Sequence, residues 1–367
     1  MVKIKKGILA IIVAASVLTG CIGGVFIGHF QGASPDKKLH SLRQTIEKLY
    51  YIEPSRKALE EETYKGLVRG LGDEYSEYMT KSEYDSWVAG TTGSYEGVGL
   101  IFSKNKKTGK VVVVQVVKNS PAENNGIKTG DNILKVGGKT YKDVEKMATA
   151  IRGKAGSTVD IVFAREGKAF TKKLTRAAIT METVSTKQLD NNIGYISISA
   201  FESATAQDFK EALQGCEKKH NKGVIIDLRD NGGGLVQSSV EIADMLMDKS
   251  VVTYMEDRKG KKDYYRAHDG STKLPYVLLV NGHTASASEI LTAAVMDNTK
   301  NKVVGTKTYG KGIVQDIYPL QDGSALKLTV KQYFSPKGKV IHKKGIAPNY
   351  IVKGGDAQLK KAKEVLR

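Results

Sequence analysis

Residues Gly305 to Gln315, GTKTYGKGIVQ, set two glycines and a lysine at the spacing of a phosphate-binding loop. In such a loop, GxxxxGK followed by Ser or Thr, the lysine reaches the β/γ-phosphates and the hydroxyl binds Mg²⁺. Gly305, Gly310 and Lys311 fit, but Gly312 stands where the hydroxyl belongs. A phosphate loop must also open a helix. Gly312 to Tyr318 instead alternates apolar and polar residues and reads as a strand, closed by Pro319. The nucleotide reading is set aside on both counts. A desolvated lysine has a lowered pKa and can serve as a general base at neutral pH. Joined to a serine, it forms a variant of the Ser-His-Asp arrangement.

Ser286 is placed to be that serine. Tyr276 to Val280, YVLLV, reads as a buried strand, Asn281 to Ala285 as a tight turn, and Ser286 to about Met296 as a helix. There the hydroxyl feels the positive end of the helix dipole, and the N–H of Ala287 is free to donate. An ordinary N-cap serine occupies the same place. A second buried run, Val224 to Leu228, ends in Arg229 to Gly234, RDNGGG. Gly232, Gly233 and Gly234 could expose backbone N–H groups as an anion nest or an oxyanion hole, or simply make a tight turn. The rival base is a histidine, from His29, His40, His220, His268, His283 and His342. His283 lies in the same tight turn as Ser286, a poor position from which to face its hydroxyl, and GxSxG does not occur. No motif supports a histidine base.

A chain of 367 residues predicts two or three domains, and 40% hydrophobic with 26% charged residues predicts a globular one. The net charge of +18 raises nucleic acid as a partner. Lysine and arginine are spread along the whole chain, however, with no basic helix and no nucleic-acid-reading motif, so the charge reads as solvated surface. At the N-terminus, Lys3, Lys5 and Lys6 precede the uncharged run Gly7 to Gly28. Its 22 residues are long enough for a hydrocarbon core of about 30 Å. With lysines on the cytoplasmic side, the expectation is a single-pass membrane anchor in residues 1–34 and an extracytoplasmic catalytic part. A cleaved signal peptide, or a lipid anchor on Cys21 in Leu18 to Cys21, is the alternative. Cys216 is the other cysteine, so no disulfide is expected between elements of the exported part.

The elements that must carry these residues follow from periodicity. Residues 35–90 read as a helical segment, with Leu42, Ile46 and Leu49 and then Leu59, Tyr64 and Leu67 at helical spacing, ending in Asp73 to Met79, DEYSEYM. Residues 91–178 switch to strands: Val111 to Val117, VVVVQVV, and Asp160 to Phe163, with a helix from about Asp143 to Ile151. The order GVGL, SPAxxxGI, GDxIL, helix, RGxxG resembles a PDZ domain of the permuted bacterial type. That resemblance makes Gly97, Val98, Gly99 and Leu100 the loop that receives a terminal carboxylate, beside a strand edge that an extended peptide can join. Residues 179–352 alternate strand and helix, and 353–367 form a tail.

Taken together, Thr284 to Ile290, TASASEI, Gly310 to Gln315, GKGIVQ, and Asp227 to Gly234, DLRDNGGG, resemble the carboxyl-terminal processing proteases, tail-specific serine peptidases of family S41. The likeness spans roughly residues 40–352. It implies an α/β core of the ClpP/crotonase type with an inserted PDZ domain and a leading helical segment. Ser286 is implied as nucleophile, Lys311 as general base 25 residues on, and Gln315 as the residue holding the lysine amine. Ser288 is a second choice of nucleophile. The oxyanion donors map to Gly233, or its neighbour Gly232, and to Ala287. Glu289, Asp297 and Thr308 match supporting positions. Where the family often has proline this chain has Gly232, which leaves the donor register open.

The implied function is endoproteolysis of protein substrates recognised near their C-terminus by the PDZ groove, without metal, nucleotide or other cofactor. A non-catalytic PDZ scaffold in the envelope is the alternative, and assembly as a homo-oligomer is left open. Arg152, at the end of the PDZ helix, has two readings. It could contact Lys311 or Gln315 once tail binding moves the domain about a flexible joint near Ala177 and Ala178, or it could cap its own helix.

Overall fold

The structure, a computed structural model, describes residues 34–366 apart from 92–93, 106–107 and 142. The chain divides after Gly72 into two compact units. The first contains helices α1 (Pro35–Leu49) and α2 (Arg56–Arg69). Each is opened by a serine, Ser34 or Ser55, whose hydroxyl accepts the N–H three residues on. No residue of α1 is buried, and Leu39, Leu42, Ile46 and Leu49 are exposed.

The second unit begins with β1 (Glu77–Met79), α3 (Lys81–Thr91) and β2 (Ser94–Gly97). Strands β3 (Leu100–Lys104), β4 (Val111–Val116), β5 (Asn132–Val136), β6 (Thr158–Arg165) and β7 (Lys168–Thr175) then pair in that order, all antiparallel. Helix α4 (Val144–Ile151) puts Met147 and Ile151 against Val98, Val113, Ile161 and Phe163, a core of its own. Strand β3 is the sheet's edge. The joint expected to flex near Ala177 and Ala178 is instead strand β8 (Ala177–Thr180), paired with β2 from Ser94↔Thr180 to Gly97↔Ala177. Alternation hid this, because four residues are too few to carry a period.

A six-stranded sheet follows, built from β9 (Val184–Leu189), β10 (Ile193–Ile198), β11 (Gly223–Asp227), β14 (Tyr276–Val280), β15 (Lys302–Gly305) and β18 (Tyr350–Ile351). All neighbours are parallel except β9 on β10. Helices α5 (Thr205–Lys218), α6 (Val236–Leu246) and α7 (Ala287–Asn298) contribute to the core on one face, with Val224, Ile226, Leu278 and Val280. Helix α8 (Gly355–Val365) covers the other, meeting Ile225, Val277 and Leu279. Burial on both faces explains why β11 and β14 are continuous apolar runs. Strands β12 (Ser250–Asp257) and β13 (Lys262–Ala267) pair with each other, and β12 pairs with β17 (Ala325–Phe334), which also takes β1 and β16 (Ile313–Pro319).

One expectation is corrected. The single-pass, extracytoplasmic localisation has no span to rest on, since among the described residues no helix is long and apolar enough to cross a membrane. Gly7 to Gly28, with Cys21, lies outside the described residues.

Candidate active site

Strands β11 and β14 end side by side, and the segments that leave them meet beyond their carboxyl ends, where open α/β sheets place their ligand sites. The turn after β14 is bolted to the loop after β11. Thr284 Oγ1 donates to the Leu228 carbonyl at 2.8 Å, Ala285 N–H to the Asn231 carbonyl at 3.0 Å, and Ser288 Oγ to that same carbonyl at 3.0 Å. Ser288, the second-choice nucleophile, is thus fully buried and engaged. Ser286 is half-buried, with φ 58° and ψ −120°. A non-glycine residue held there costs about 1–3 kcal/mol and persists only where its surroundings impose it.

Glu289 imposes it. This carboxylate has no exposed surface, and it accepts four donors. Oε2 takes the N–H of Ser286 at 3.0 Å and of Lys311 at 2.9 Å, while Oε1 takes the N–H of Gly310 at 2.8 Å and the Thr308 hydroxyl at 2.5 Å. One buried charge therefore ties the backbone of the serine to the backbone of the lysine. Tyr333 adds a second tie. Its hydroxyl lies 3.0 Å from the Ser286 carbonyl and contacts the Lys311 carbonyl, and its ring is almost wholly buried.

Gly312 also explains itself here. A Cβ on it would lie 2.3 Å from the His342 backbone nitrogen, so no Ser or Thr fits, and β16 rather than a helix follows. The phosphate loop fails on sterics as well as on pattern.

The Lys311 side chain is half-buried, and no hydrogen bond joins its amine to Ser286 among the described residues. Its nitrogen sits 4.7 Å from the centre of the Tyr75 ring. Burial, and then the Lys327 ammonium, hold the amine below its ordinary value, while the Asp73 and Glu74 carboxylates pull it back up. Tyr75 stands in the DEYSEYM segment. Asp73 accepts the Tyr75 N–H and the Ser76 hydroxyl, and Ser76 Oγ accepts the Thr329 N–H from β17. Burial, Tyr309 and Glu74 push the Tyr75 phenol well above its usual range, so the ring under the lysine is neutral. Gln315, expected on the amine, donates instead to Thr329 Oγ1 across the β16–β17 pair at 3.2 Å.

The glycine loop comes close to Ser286. A Cβ on Gly233, at φ 103°, would lie 2.7 Å from Ser286 Cβ and 2.9 Å from the Ala287 nitrogen, so only glycine fits. The Gly233 N–H, expected in the oxyanion hole, donates to Asn231 Oδ1 at 2.8 Å. Those of Gly232 and Ala287 take no acceptor among the described residues. Asn231, fully buried and donating to the Ile198 carbonyl, sets the loop, and sequence reasoning passed over it. Its place between the strand end and the glycines was the available signal.

Asp297 lies at the other end of α7, roughly 16 Å along the axis at 1.5 Å per residue. It binds the Ser335 hydroxyl, the Lys337 N–H and the Lys339 ammonium, so its place is in the scaffold. His283 is exposed and bonded to Asp230, with no bond to Ser286.

In the carboxylate loop, the Val98 and Gly99 carbonyls accept from Ala122 and Val117. Because a trans peptide points its N–H opposite to its C=O, the amides of Gly99 and Leu100 point away from Ala122 and Val117. The carbonyls at the end of α4 are capped by Arg176, whose guanidinium reaches Ile151 and Ala150 at 2.8 and 3.0 Å. Arg152 therefore does not supply that cap. Its guanidinium donates to Ser86 Oγ on α3 at 2.7 Å.

Comparison with known proteins gives the family. Residues 192–352 match the model of peptidase family S41 and residues 97–175 that of the PDZ domain. The carboxy-terminal processing protease CtpA of Bacillus subtilis is 36% identical over 351 residues, which cover 93% of this chain and 75% of that protein. CtpB of the same organism is 34% identical, covering 96% of this chain and 79% of that protein. Among solved structures, the photosystem II D1 C-terminal processing protease aligns with a TM-score of 0.53 and 30% identity over 86% of each chain.

Proposed function

The chain belongs to peptidase family S41 and is a serine peptidase carrying a PDZ domain; from that premise we propose that it cleaves proteins presented by their C-terminal tails, through a Ser286–Lys311 dyad. The observation that carries the dyad is the Glu289 carboxylate, which holds both backbones on one frame. The domain division proposed is 35–90 helical, 91–178 PDZ and 179–352 peptidase.

In the reaction, neutral Lys311 takes the proton of Ser286 Oγ as it attacks the scissile carbonyl. The lysine then returns that proton to the leaving amine. Water hydrolyses the acyl-enzyme with the same amine as base. Ala287 N–H and one N–H of the glycine loop hold the oxyanion, each worth about 2.7–4 kcal/mol. Gln315, whose amide nitrogen is bonded to Thr329, keeps its Oε1 as the acceptor that orients the amine once it leaves the ring. The Tyr75 ring favours the charged amine, so loss of the proton weakens that contact and frees the four-carbon stem to reach Ser286. The tail's carboxylate sits on the Gly99 and Leu100 amides, with its chain added to the edge of β3.

A pH–rate profile tests the lysine base. Since the working form is neutral and the folded pKa lies below 10.5, kcat/KM on an unfolded protein should climb with pH between 6 and 10.5, with its midpoint below 10.5. Tyr75→Leu removes a contact that favours the charged amine by about 0.5–1 kcal/mol, so the limb should move roughly half a unit to lower pH. Tyr75→Phe, which keeps the ring, should leave its midpoint in place. A profile flat over this range ends the lysine assignment, and a limb that moves equally in both variants ends the role of the ring.

A further inference from the structure

The groove between β3 and α4 forms a cavity of about 400 Å³. Its lining comprises the apolar side chains Val98, Leu100, Phe102, Ala148 and Ile151 on the PDZ side, which suit the side chains of an added strand. It also contains residues that an apolar peptide site does not need. Glu202 enters from the peptidase core, just after Phe201 and ahead of α5. It is half-buried, and its carboxylate makes no hydrogen bond and no ion pair among the described residues. Burial pushes its pKa up, as expected of a carboxylate that loses water and gains no partner. Tyr95 lines the same cavity with a buried hydroxyl that also lacks a partner. Arg152, the cation in the lining, is turned to Ser86 and forms no ion pair with Glu202.

A desolvated carboxylate and an orphaned phenol in a peptide groove mark a polar subsite that the ligand must complete. We propose that Glu202 is a specificity-determining residue that reads a basic side chain, lysine or arginine, within the last few residues of the substrate tail. This rests on the reading that the PDZ groove receives C-terminal tails. In a strand added to β3, alternate side chains point away from the PDZ floor. Glu202 and Met181 line the cavity from the peptidase side and are what those side chains would meet. A cation arriving with the tail recovers the Coulomb energy that Glu202 forgoes when it is desolvated. The tail's own carboxylate is repelled by Glu202, and so it seats at the backbone amides of Gly99 and Leu100. An acidic side chain at that position meets the same repulsion from Glu202.

The test uses the intact chain with Ser286→Ala, so that nothing is cut. Ten-residue fluorescent peptides with a free carboxylate carry lysine, alanine or glutamate at each of the last four positions in turn, and binding is read by anisotropy. At one position lysine should bind at least about fivefold tighter than alanine, and glutamate weaker still. In Glu202→Gln the gap between lysine and alanine at that position should fall below about twofold, and 0.5 M salt should narrow it in the parent. Lysine and alanine tails that bind alike at all four positions, or a preference that survives in Glu202→Gln, would overturn the proposal. If no peptide binds, or amidated peptides bind as well as free ones, the tail-binding reading itself fails and takes the proposal with it. That failure is distinguishable, because it is independent of the charge in the peptide.

Discussion

Ser286→Ala and Lys311→Ala should each lose on the order of 10⁴–10⁶-fold in kcat on an unfolded protein substrate, and the double variant should be no worse than either single one. Removing one member of a unit removes the unit, because the serine hydroxyl without a base is no better a nucleophile than water. The fold should survive both changes. Ser286 is held through its backbone, by Glu289 and Tyr333, and alanine keeps that backbone. The strained φ of 58° remains, but Ser286→Ala adds no further strain, since both residues carry a Cβ. Lys311 is a half-buried amine whose charged form is disfavoured by burial, so its loss removes a desolvation penalty along with the ring contact. The sign follows from linkage. With the folded pKa below the unfolded one, the lysine weakens the fold at neutral pH, and that cost fades as pH rises from the folded pKa towards 10.5. At pH 7, Lys311→Ala should therefore melt within a few degrees of the parent by calorimetry. Full activity in Lys311→Ala, together with its loss in His283→Ala, would move the base to the histidine.

Glu289→Gln should have the second largest effect, and it should fall on both stability and rate. The carboxylate faces only donors: two backbone N–H groups at Oε2, and one N–H and a hydroxyl at Oε1. A glutamine turns one of its ends into a donor: set towards Ser286 and Lys311 it deprives two N–H groups of their acceptor, and set the other way it deprives the Gly310 N–H, while the Thr308 hydroxyl can turn to accept. At about 1–3 kcal/mol for each unsatisfied group, the loss is about 1–6 kcal/mol, or a melting point lower by several degrees. The rate should fall by about 10²-fold or more even well below the melting temperature, because the same contacts set the spacing of Ser286 and Lys311. Thr308→Ser, which keeps the hydroxyl, should lie near the parent. Thr308→Val should resemble a milder Glu289→Gln, since Thr308 Oγ1 also accepts the Ile346 N–H at 2.7 Å. A Glu289→Gln protein that melts with the parent and cuts at its rate would show that the carboxylate is not the frame of the dyad.

Much of the fold was legible because its signals are local. β14 reads as an unbroken apolar run and β11 as one that ends in Asp227, the pattern of strands buried on both faces, and α7 began where a strand and a turn delivered Ser286. The PDZ order, with its glycines and short helix, was equally local. The elements missed were short or paired at a distance. β8 is four residues long and acquires its form from β2, eighty residues earlier. Arg176, rather than Arg152, caps α4 because β7 ends beside that helix, which no spacing within the helix could tell.

By itself, then, the sequence determined which residues could do the chemistry. A serine at a strand–turn–helix junction, a lysine ahead of a strand, and glycines after a buried run are statements about backbone neighbours, and residue types settle them. Tertiary structure alone decided how those residues are held. Glu289 meets Gly310 and Lys311 from more than twenty positions away, Tyr75 lies under a lysine 236 residues further on, and Asn231 takes the Gly233 N–H that the oxyanion hole was expected to use. Side chains of that kind have no period and no fixed spacing. Their partners are chosen by the closing of the sheet and by the need of every buried polar group for a partner, and both act only once the chain has folded.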